Sequence, residues 1–266
     1  MSISFDLDSA VDVLLAARRE RRQMAALPEP LRPADIGQGY DIQDRLIARI
    51  DDAVVGWKLG VGSAKLKRQS DIGRSIAGRI LKSRLFGAEA TVELSFAAPA
   101  TIEFEIDFIL GDDIAPDHSG DARTRIAETR VAFELVQSSF VDRRAAGWPS
   151  FAGDNSGFDA LILGDAVEAA AIPNLLASLV VSVDGEAKAG VATGEDVTDP
   201  YRAFDDLVAL AQERGMVLPK GSIISTGSAS LPYAISTPRG EVAASYLDKT
   251  LRFRVEAPSN LHRSLP

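Results

Sequence analysis

Ala100-Thr101-Ile102-Glu103-Phe104-Glu105-Ile106-Asp107-Phe108-Ile109-Leu110 alternates apolar and acidic residues. Successive side chains of a strand point to opposite faces, so Ile102, Phe104, Ile106 and Phe108 share one face and Glu103, Glu105 and Asp107 the other. The stretch predicts a strand carrying a row of carboxylates on a rigid element. Residues two apart are separated by about 6.6 Å along the backbone, at roughly 3.3 Å of rise each, and flexible glutamate side chains can close that gap onto one hard cation such as Mg²⁺ or Mn²⁺. A surface strand whose acids face water gives the same pattern, and this segment alone does not separate the two.

Composition narrows the function classes. The 266 residues suit one large domain or a main domain with an N-terminal extension, and a 46% hydrophobic fraction can fill a core. Twenty-nine Lys and Arg against 38 Asp and Glu give a net charge of −9, which argues against nucleic acid as a partner. No apolar run approaches the roughly 18 residues of a membrane span, and Met1-Ser2-Ile3-Ser4-Phe5-Asp6-Leu7-Asp8 lacks a basic start and an apolar centre. The expectation is a soluble, untargeted protein with the cytoplasm as its compartment and no membrane contact.

Cysteine is absent, which removes disulfides, thiolate metal sites and cysteine nucleophiles together. With only His118 and His262, a three-histidine zinc site is excluded. His262 sits in the tail, so a Ser-His-Asp triad has little to build on. Any catalysis falls to carboxylates, lysine and a metal.

The first fifty residues read as helical. Ser9, followed by Val11, Asp12, Leu14 and Leu15, predicts a capped helix ending before Pro28; a second begins near Ala34, with Ile36, Tyr40, Leu46 and Ile50 on one face. From Val54 onward short strands dominate: Val54 to Gly62, Thr91 to Phe96 and Ala100 to Leu110. Asp121 predicts a capped helix to about Arg130, after which Val131 to Val136 fits a helix or a strand equally. Asp184-Gly185 predicts a hairpin turn, Asp199-Pro200 opens a helix that Gly215 closes, and strands follow at Ser222 to Thr226, Gly240 to Tyr246 and Thr250 to Val255.

Two further charged residues stand in apolar settings. Lys58, in Val55-Gly56-Trp57-Lys58-Leu59-Gly60, lies either on a wet strand face or beside a counter-charge, because burying lysine unpaired is costly. Glu134, between Phe133 and Leu135, is either a third carboxylate ligand or an exposed acid. Gly60-Val61-Gly62-Ser63-Ala64-Lys65 echoes a phosphate loop, but lysine holds the third glycine's place and no βαβ unit follows, which argues against a nucleotide site.

In this order the segments resemble the 2-keto-4-pentenoate hydratase and 4-oxalocrotonate decarboxylase family of the fumarylacetoacetate hydrolase-like superfamily, from about Tyr40 to Val255. Gly56-Trp57-Lys58-Leu59-Gly60 is similar to the family's lysine signature, Glu103 and Glu105 to its two strand glutamates, and Phe133-Glu134-Leu135-Val136 to the segment with the third. Asp154-Asn155, Leu163-Gly164, Asp184-Gly185, Gly221 and Thr226-Gly227-Ser228 agree in order and spacing. The resemblance implies an α+β fold with a mostly β core, a distorted barrel or sandwich roll, over residues 53–266, and an N-terminal helical part over 1–52. It makes Glu134's segment a strand. It also implies a homo-oligomer and a site in which Glu103, Glu105 and Glu134 hold Mg²⁺ or Mn²⁺ while Lys58 and Ser156 act on the substrate. The implied activity, in aromatic catabolism, is addition of water to a short 2-hydroxy-dienoic or 2-keto-enoic acid.

Three places depart from the family pattern. Ile76 stands where an acid is usual, Gln137-Ser138-Ser139 stands for Asp-Ser-Arg, and Gly157 takes the place of a substrate-binding serine, with Ser156 one position early. A decarboxylase needs a second anionic anchor, for which Lys65, Lys67, Arg68, Arg74 and Arg79 are candidates. A C–C hydrolase usually needs a lid histidine, which His118 is poorly placed to supply. A homologue that binds a keto acid without turning it over is the non-enzymatic alternative.

Overall fold

The computed structural model describes residues 5–236 and 239–259; His262 lies outside them. In chain order the elements are α1 (Leu7–Arg19), α2 (Ile36–Ala48), β1 (Val54–Gly60), α3 (Ala64–Ser70), β2 (Ile76–Leu81), β3 (Leu85–Gly87), β4 (Thr91–Glu93), β5 (Ala100–Leu110), β6 (Ile126–Val136), α4 (Trp148–Gly153), β7 (Phe158–Ala166), α5 (Ile172–Ala177), β8 (Val180–Val183), β9 (Glu186–Gly190), α6 (Pro200–Arg214), β10 (Ile223–Ser228), β11 (Tyr233–Ile235), β12 (Gly240–Tyr246) and β13 (Lys249–Glu256). The fold is α+β, with its core built on two sheets.

The larger sheet runs β2-β1-β10-β5-β6-β7-β3, with β11 added to β5; the smaller runs β4-β13-β12-β8-β9. The apolar face of β5 packs on the smaller sheet. Phe104 meets Phe133 edge-on at 5.5 Å and Tyr246 at 5.6 Å, and Phe133 lies 5.3 Å from Phe253. The opposite face looks into the curl of the larger sheet, where Ile80, Leu81, Ala132, Phe158, Leu161 and Ile223 from β2, β6, β7 and β10 close one cluster. Strand β5 is therefore enclosed on both faces, and its acids do not lie on a surface strand.

The helical start packs on this core through its own cluster of Val11, Leu14, Leu27, Ile42, Leu46 and Phe140. Its first helix is capped by Asp6, whose carboxylate accepts from the Ser9 backbone N–H, and not by Ser9, whose hydroxyl donates to Asp6. Asp35 caps α2 in the same way. The helix expected from Asp121 to Arg130 is only a 3₁₀ turn, Ala122–Arg125, and β6 starts at Ile126. Pairing of Ile126 to Val136 with β5 outweighs the local cap, as tertiary context commonly does with weak propensities. Helix α3, capped by Ser63, fills a stretch for which the sequence suggested none. Asp184 and Gly185 take positive φ in the β8–β9 turn, and Gly215 ends α6 in the left-handed conformation. Among the described residues no helix is long and apolar enough to cross a membrane.

Candidate functional site

Strand register assembles the acids. Glu103 on β5 stands directly opposite Glu134 on β6, and the two-residue strand period brings Glu105 onto the same face. One carboxylate oxygen from each lies within 4.8 Å of the others. Glu105 and Glu134 are fully buried and Glu103 is half-buried. Across β5 on the other side, the pairing with β10 shifts register between Ser225 and Ser228. In that irregularity the Gly227 N–H donates to Glu105 Oε2 at 3.2 Å, and the Ser225 hydroxyl donates to the same oxygen. Glu105 Oε1 and Glu134 Oε2 are buried without a partner.

Lys58 comes from β1 and is only 1% exposed. Its Nζ lies 3.0 Å from Glu134 Oε1 and donates to the Ser156 carbonyl at 3.0 Å. The counter-charge expected of a buried lysine is thus Glu134. Gly78 makes room for it: a Cβ there would stand 3.2 Å from Lys58 Cδ and 2.6 Å from the Asn155 carbonyl oxygen.

The electrostatics are unbalanced. Burial, then the Glu134 charge and Asp107, hold the Glu105 carboxyl well above its ordinary range, and burial with Glu134 does the same to Asp107. Burial pushes Glu134 up to about 7 against the opposing pull of Lys58. Three acids, Glu105, Asp107 and Glu134, are buried here and the one lysine reaches only Glu134, in an interior where an unpaired carboxylate costs several kcal/mol. Hard oxygen donors, two of them orphaned, are what Mg²⁺, Mn²⁺ or Ca²⁺ take, so the residues fit a divalent cation.

The turn after α4 secures this arrangement. Asn155, Ser156 and Gly157 all take positive φ (55°, 51° and 65°). Left-handed backbone costs about 1 kcal/mol or more at each non-glycine, and side-chain bonds hold it. Asn155 pairs with the Arg79 backbone in both directions, accepting at 2.6 Å and donating at 2.9 Å, and the Ser156 hydroxyl donates to the Ala77 carbonyl at 2.9 Å. The turn is thereby stitched to β2, and the Ser156 carbonyl meets Lys58. A serine at position 157 would meet Phe151, since a Cβ there lies 2.9 Å from its ring. Ile76 is fully buried in the core opposite Gly60. Ser138 and Ser139 bind Asp154, and the cation that reaches Asp154 is Arg18 of α1.

A pocket of about 330 Å³ opens over Lys58 and Glu103, walled by Trp148, Phe151 and Leu66. Of the five basic residues suggested as anchors only Lys65 lines it, and Lys65 pairs with Asp196. Lys67, Arg68, Arg74 and Arg79 are held by Asp206, Glu195, Glu213 and Asp44. Sequence reasoning missed Arg143 and Arg144, which do line the pocket. Their signal was a basic pair a few residues before Trp148 and Phe151, in a segment free of strand or helix periodicity. His118 is not among the lining residues.

The fold is shared with a class of solved structures, that of the fumarylacetoacetate hydrolase-like proteins. A solved structure assigned to the fumarylacetoacetate hydrolase family from Yersinia pestis CO92 superposes with a TM-score of 0.53 at 16% identity, covering 77% of this chain and 95% of that one. Within the class, 4-oxalocrotonate decarboxylase from Pseudomonas putida G7, solved with magnesium and adipate, superposes with a TM-score of 0.80 at 20% identity over 94% of this chain and 97% of that one. In sequence the chain is a homologue of a 2-keto-4-pentenoate hydratase from Paraburkholderia xenovorans, 24% identical over 95% of each, and of a 4-oxalocrotonate decarboxylase from Pseudomonas sp., 25% identical over 75% of this chain and 79% of the relative. No protein-family model matches the chain.

Proposed function

We propose that this chain is a metal-dependent lyase that adds water to a short 2-hydroxy-dienoic or 2-keto-enoic acid, as a 2-keto-4-pentenoate hydratase does. The observation that carries the reading is the cluster of Glu103, Glu105 and Glu134, with orphaned oxygens, beside buried Lys58. Homologues named hydratase, and solved neighbours holding magnesium or calcium, support it. The reading extends to a homo-oligomer working in the cytoplasm in the catabolism of aromatic compounds.

Glu103, Glu105 and Glu134 hold the ion. When bound, Mg²⁺ or Mn²⁺ supplies Lewis-acid stabilisation of the negative charge that develops on a 2-oxo group during the reaction. The Gly227 N–H and the Ser225 hydroxyl fix one oxygen of Glu105, leaving the other free as a ligand. Lys58 Nζ holds the substrate carboxylate or moves a proton to or from the carbon chain, and the Ser156 carbonyl orients that ammonium. Ser156 serves this centre through that carbonyl, its hydroxyl being donated to Ala77. Trp148 and Phe151, edge to face at 5.8 Å, keep bulk water from one wall.

The test follows the ultraviolet decay of 2-hydroxypenta-2,4-dienoate and 2-oxohex-3-enedioate with and without Mg²⁺ or Mn²⁺, with products identified by mass. Metal-dependent gain of water is the expected result. Loss of CO₂ would make the chain a decarboxylase, and turnover of neither would leave a keto-acid-binding homologue or another substrate.

A further inference from the structure

Lys58 turns towards the acids, so its neighbour Trp57 turns to the opposite face of β1. There a second pocket, of about 540 Å³, opens between the start of β1 and the segment that joins α6 to β10. It shares no lining residue with the pocket over Lys58 and Glu103, and the proposed reaction does not use it. Its apolar wall is made by Val54, Val55, Trp57, Met216, Val217 and Pro219, and Val54 and Val217 remain 40% and 47% exposed. Two cations, Arg79 and Lys220, line it and no acid does. Trp57 is 6% exposed, and its indole N–H is buried without an acceptor, a state that costs free energy until one arrives. Arg79, 9% exposed, stands opposite Trp57 in the β1–β2 register, with its guanidinium over the indole, 5.7 Å from the ring centroid. Its charge is poorly compensated: Asp44, 2.8 Å away, also pairs with Arg214, and burial holds the Arg79 guanidinium below its ordinary range despite Asp44. Lys220 is exposed and makes no ion pair among the described residues.

An orphaned donor, two cations and an apolar wall complement a small molecule that carries a carboxylate on an apolar body, and the volume lies within the roughly 300–1,000 Å³ of small-molecule sites. We infer that this pocket binds a small aromatic monocarboxylate, its charge held by Arg79 and Lys220 and its ring against Trp57. The site is independent of the reading of the glutamate cluster.

The chain has two tryptophans, so Trp148→Phe leaves Trp57 as the sole indole reporter. The full-length variant is titrated, without metal, with benzoate and with benzyl alcohol, an uncharged probe of similar size. Benzoate should shift the emission saturably and bind about tenfold more tightly than benzyl alcohol, the value of one charge-assisted contact. Lys220→Glu, a change at an exposed side chain, should erase that preference, and Val217→Phe should block both probes by filling the pocket. Lys58→Met should leave both affinities unchanged. Thermal melts check that the variants fold. No response to benzoate, or equal affinity for the two probes, overturns the site. So does loss of benzoate binding in Lys58→Met with none in Lys220→Glu, which would place the acid in the pocket over Lys58. Sedimentation velocity supplies the remaining arm: an assembly that Val217→Arg dissociates would assign this face to a second copy of the chain and overturn the ligand site.

Discussion

Asp154 and Glu134 are both fully buried carboxylates, and they are solvated by the protein in opposite ways. Asp154 Oδ1 accepts from Arg18 at 2.8 Å and the Ser139 hydroxyl at 2.6 Å; Oδ2 accepts from the Ser138 hydroxyl at 2.7 Å and the Ser139 N–H at 2.6 Å. Glu134 has Lys58 on one oxygen and nothing on the other. Burial therefore does not separate an acid that holds the fold from one that holds a ligand. Saturation does: the satisfied carboxylate fixes the turn from Asp154 to Gly157, and the unsatisfied one keeps lone pairs for a cation.

The comparison breaks first at the glutamates. Glu105→Gln or Glu134→Gln should lower metal-dependent turnover about 10³-fold or more, because an amide is a poor ligand for a hard cation. The metal-free melting temperature should hold or rise in Glu105→Gln, whose carboxyl has no cation partner, and fall in Glu134→Gln, which leaves buried Lys58 without its counter-charge. Unchanged metal affinity in Glu105→Gln would remove the carboxylate site. Lys58→Met should cost about 10²-fold or more in kcat while the protein still binds Mg²⁺, the range expected for a proton-transfer or anchoring group. Asp154→Asn should show the reverse pattern, a loss of about 3 kcal/mol in urea unfolding with turnover of the folded fraction retained, because it leaves Arg18 without its charge partner. The same signature in Asp154→Asn and Glu134→Gln would end the distinction between them.

Titration sharpens the comparison further. Glu134 is raised from its ordinary 4.5 to about 7, so the native state holds this proton more tightly than the unfolded chain. The group's contribution to metal-free stability is greatest below about 4.5 and falls as pH rises towards 7. A cation displaces the proton, so Mg²⁺ affinity should climb as pH rises towards 7, by about tenfold per unit for each proton released. Calorimetric titrations at several pH values read both the slope and the protons released; a flat profile below 7 would mean that Glu134 is already ionised there.

How much of this is legible in the sequence depends on distance along the chain. Strand β5 and its paired glutamates are readable because a period of two is local, and Lys58 stands out because its neighbours are apolar. That the acid face is buried is not readable, since what covers it, such as Ser225 on β10, lies 120 residues from Glu105. The strand character of β6 follows from register with β5 and from no signal within Ile126 to Val136. Arg18 as the partner of Asp154, and Arg143 as a pocket wall, are likewise contacts between segments whose own composition is unremarkable surface chemistry.

The smallest effect belongs to the saturated side of the comparison, in the turn that Asp154 holds. Gly157 has φ of 65°, and a Cβ there would lie 2.9 Å from the Phe151 ring and 3.2 Å from Val136. Gly157→Ser should therefore destabilise through two separable causes, about 1 kcal/mol of left-handed backbone and a further 1–3 kcal/mol of overpacking. Phe151→Val removes the obstructing ring and by itself costs the usual price of a core truncation. If the ring is what excludes a serine, the double variant should be at least about 1 kcal/mol more stable than the sum of the two single losses predicts, because the closest clash is relieved while the backbone strain and the Val136 contact remain. Strictly additive losses in urea would show that backbone conformation alone dictates glycine at this position.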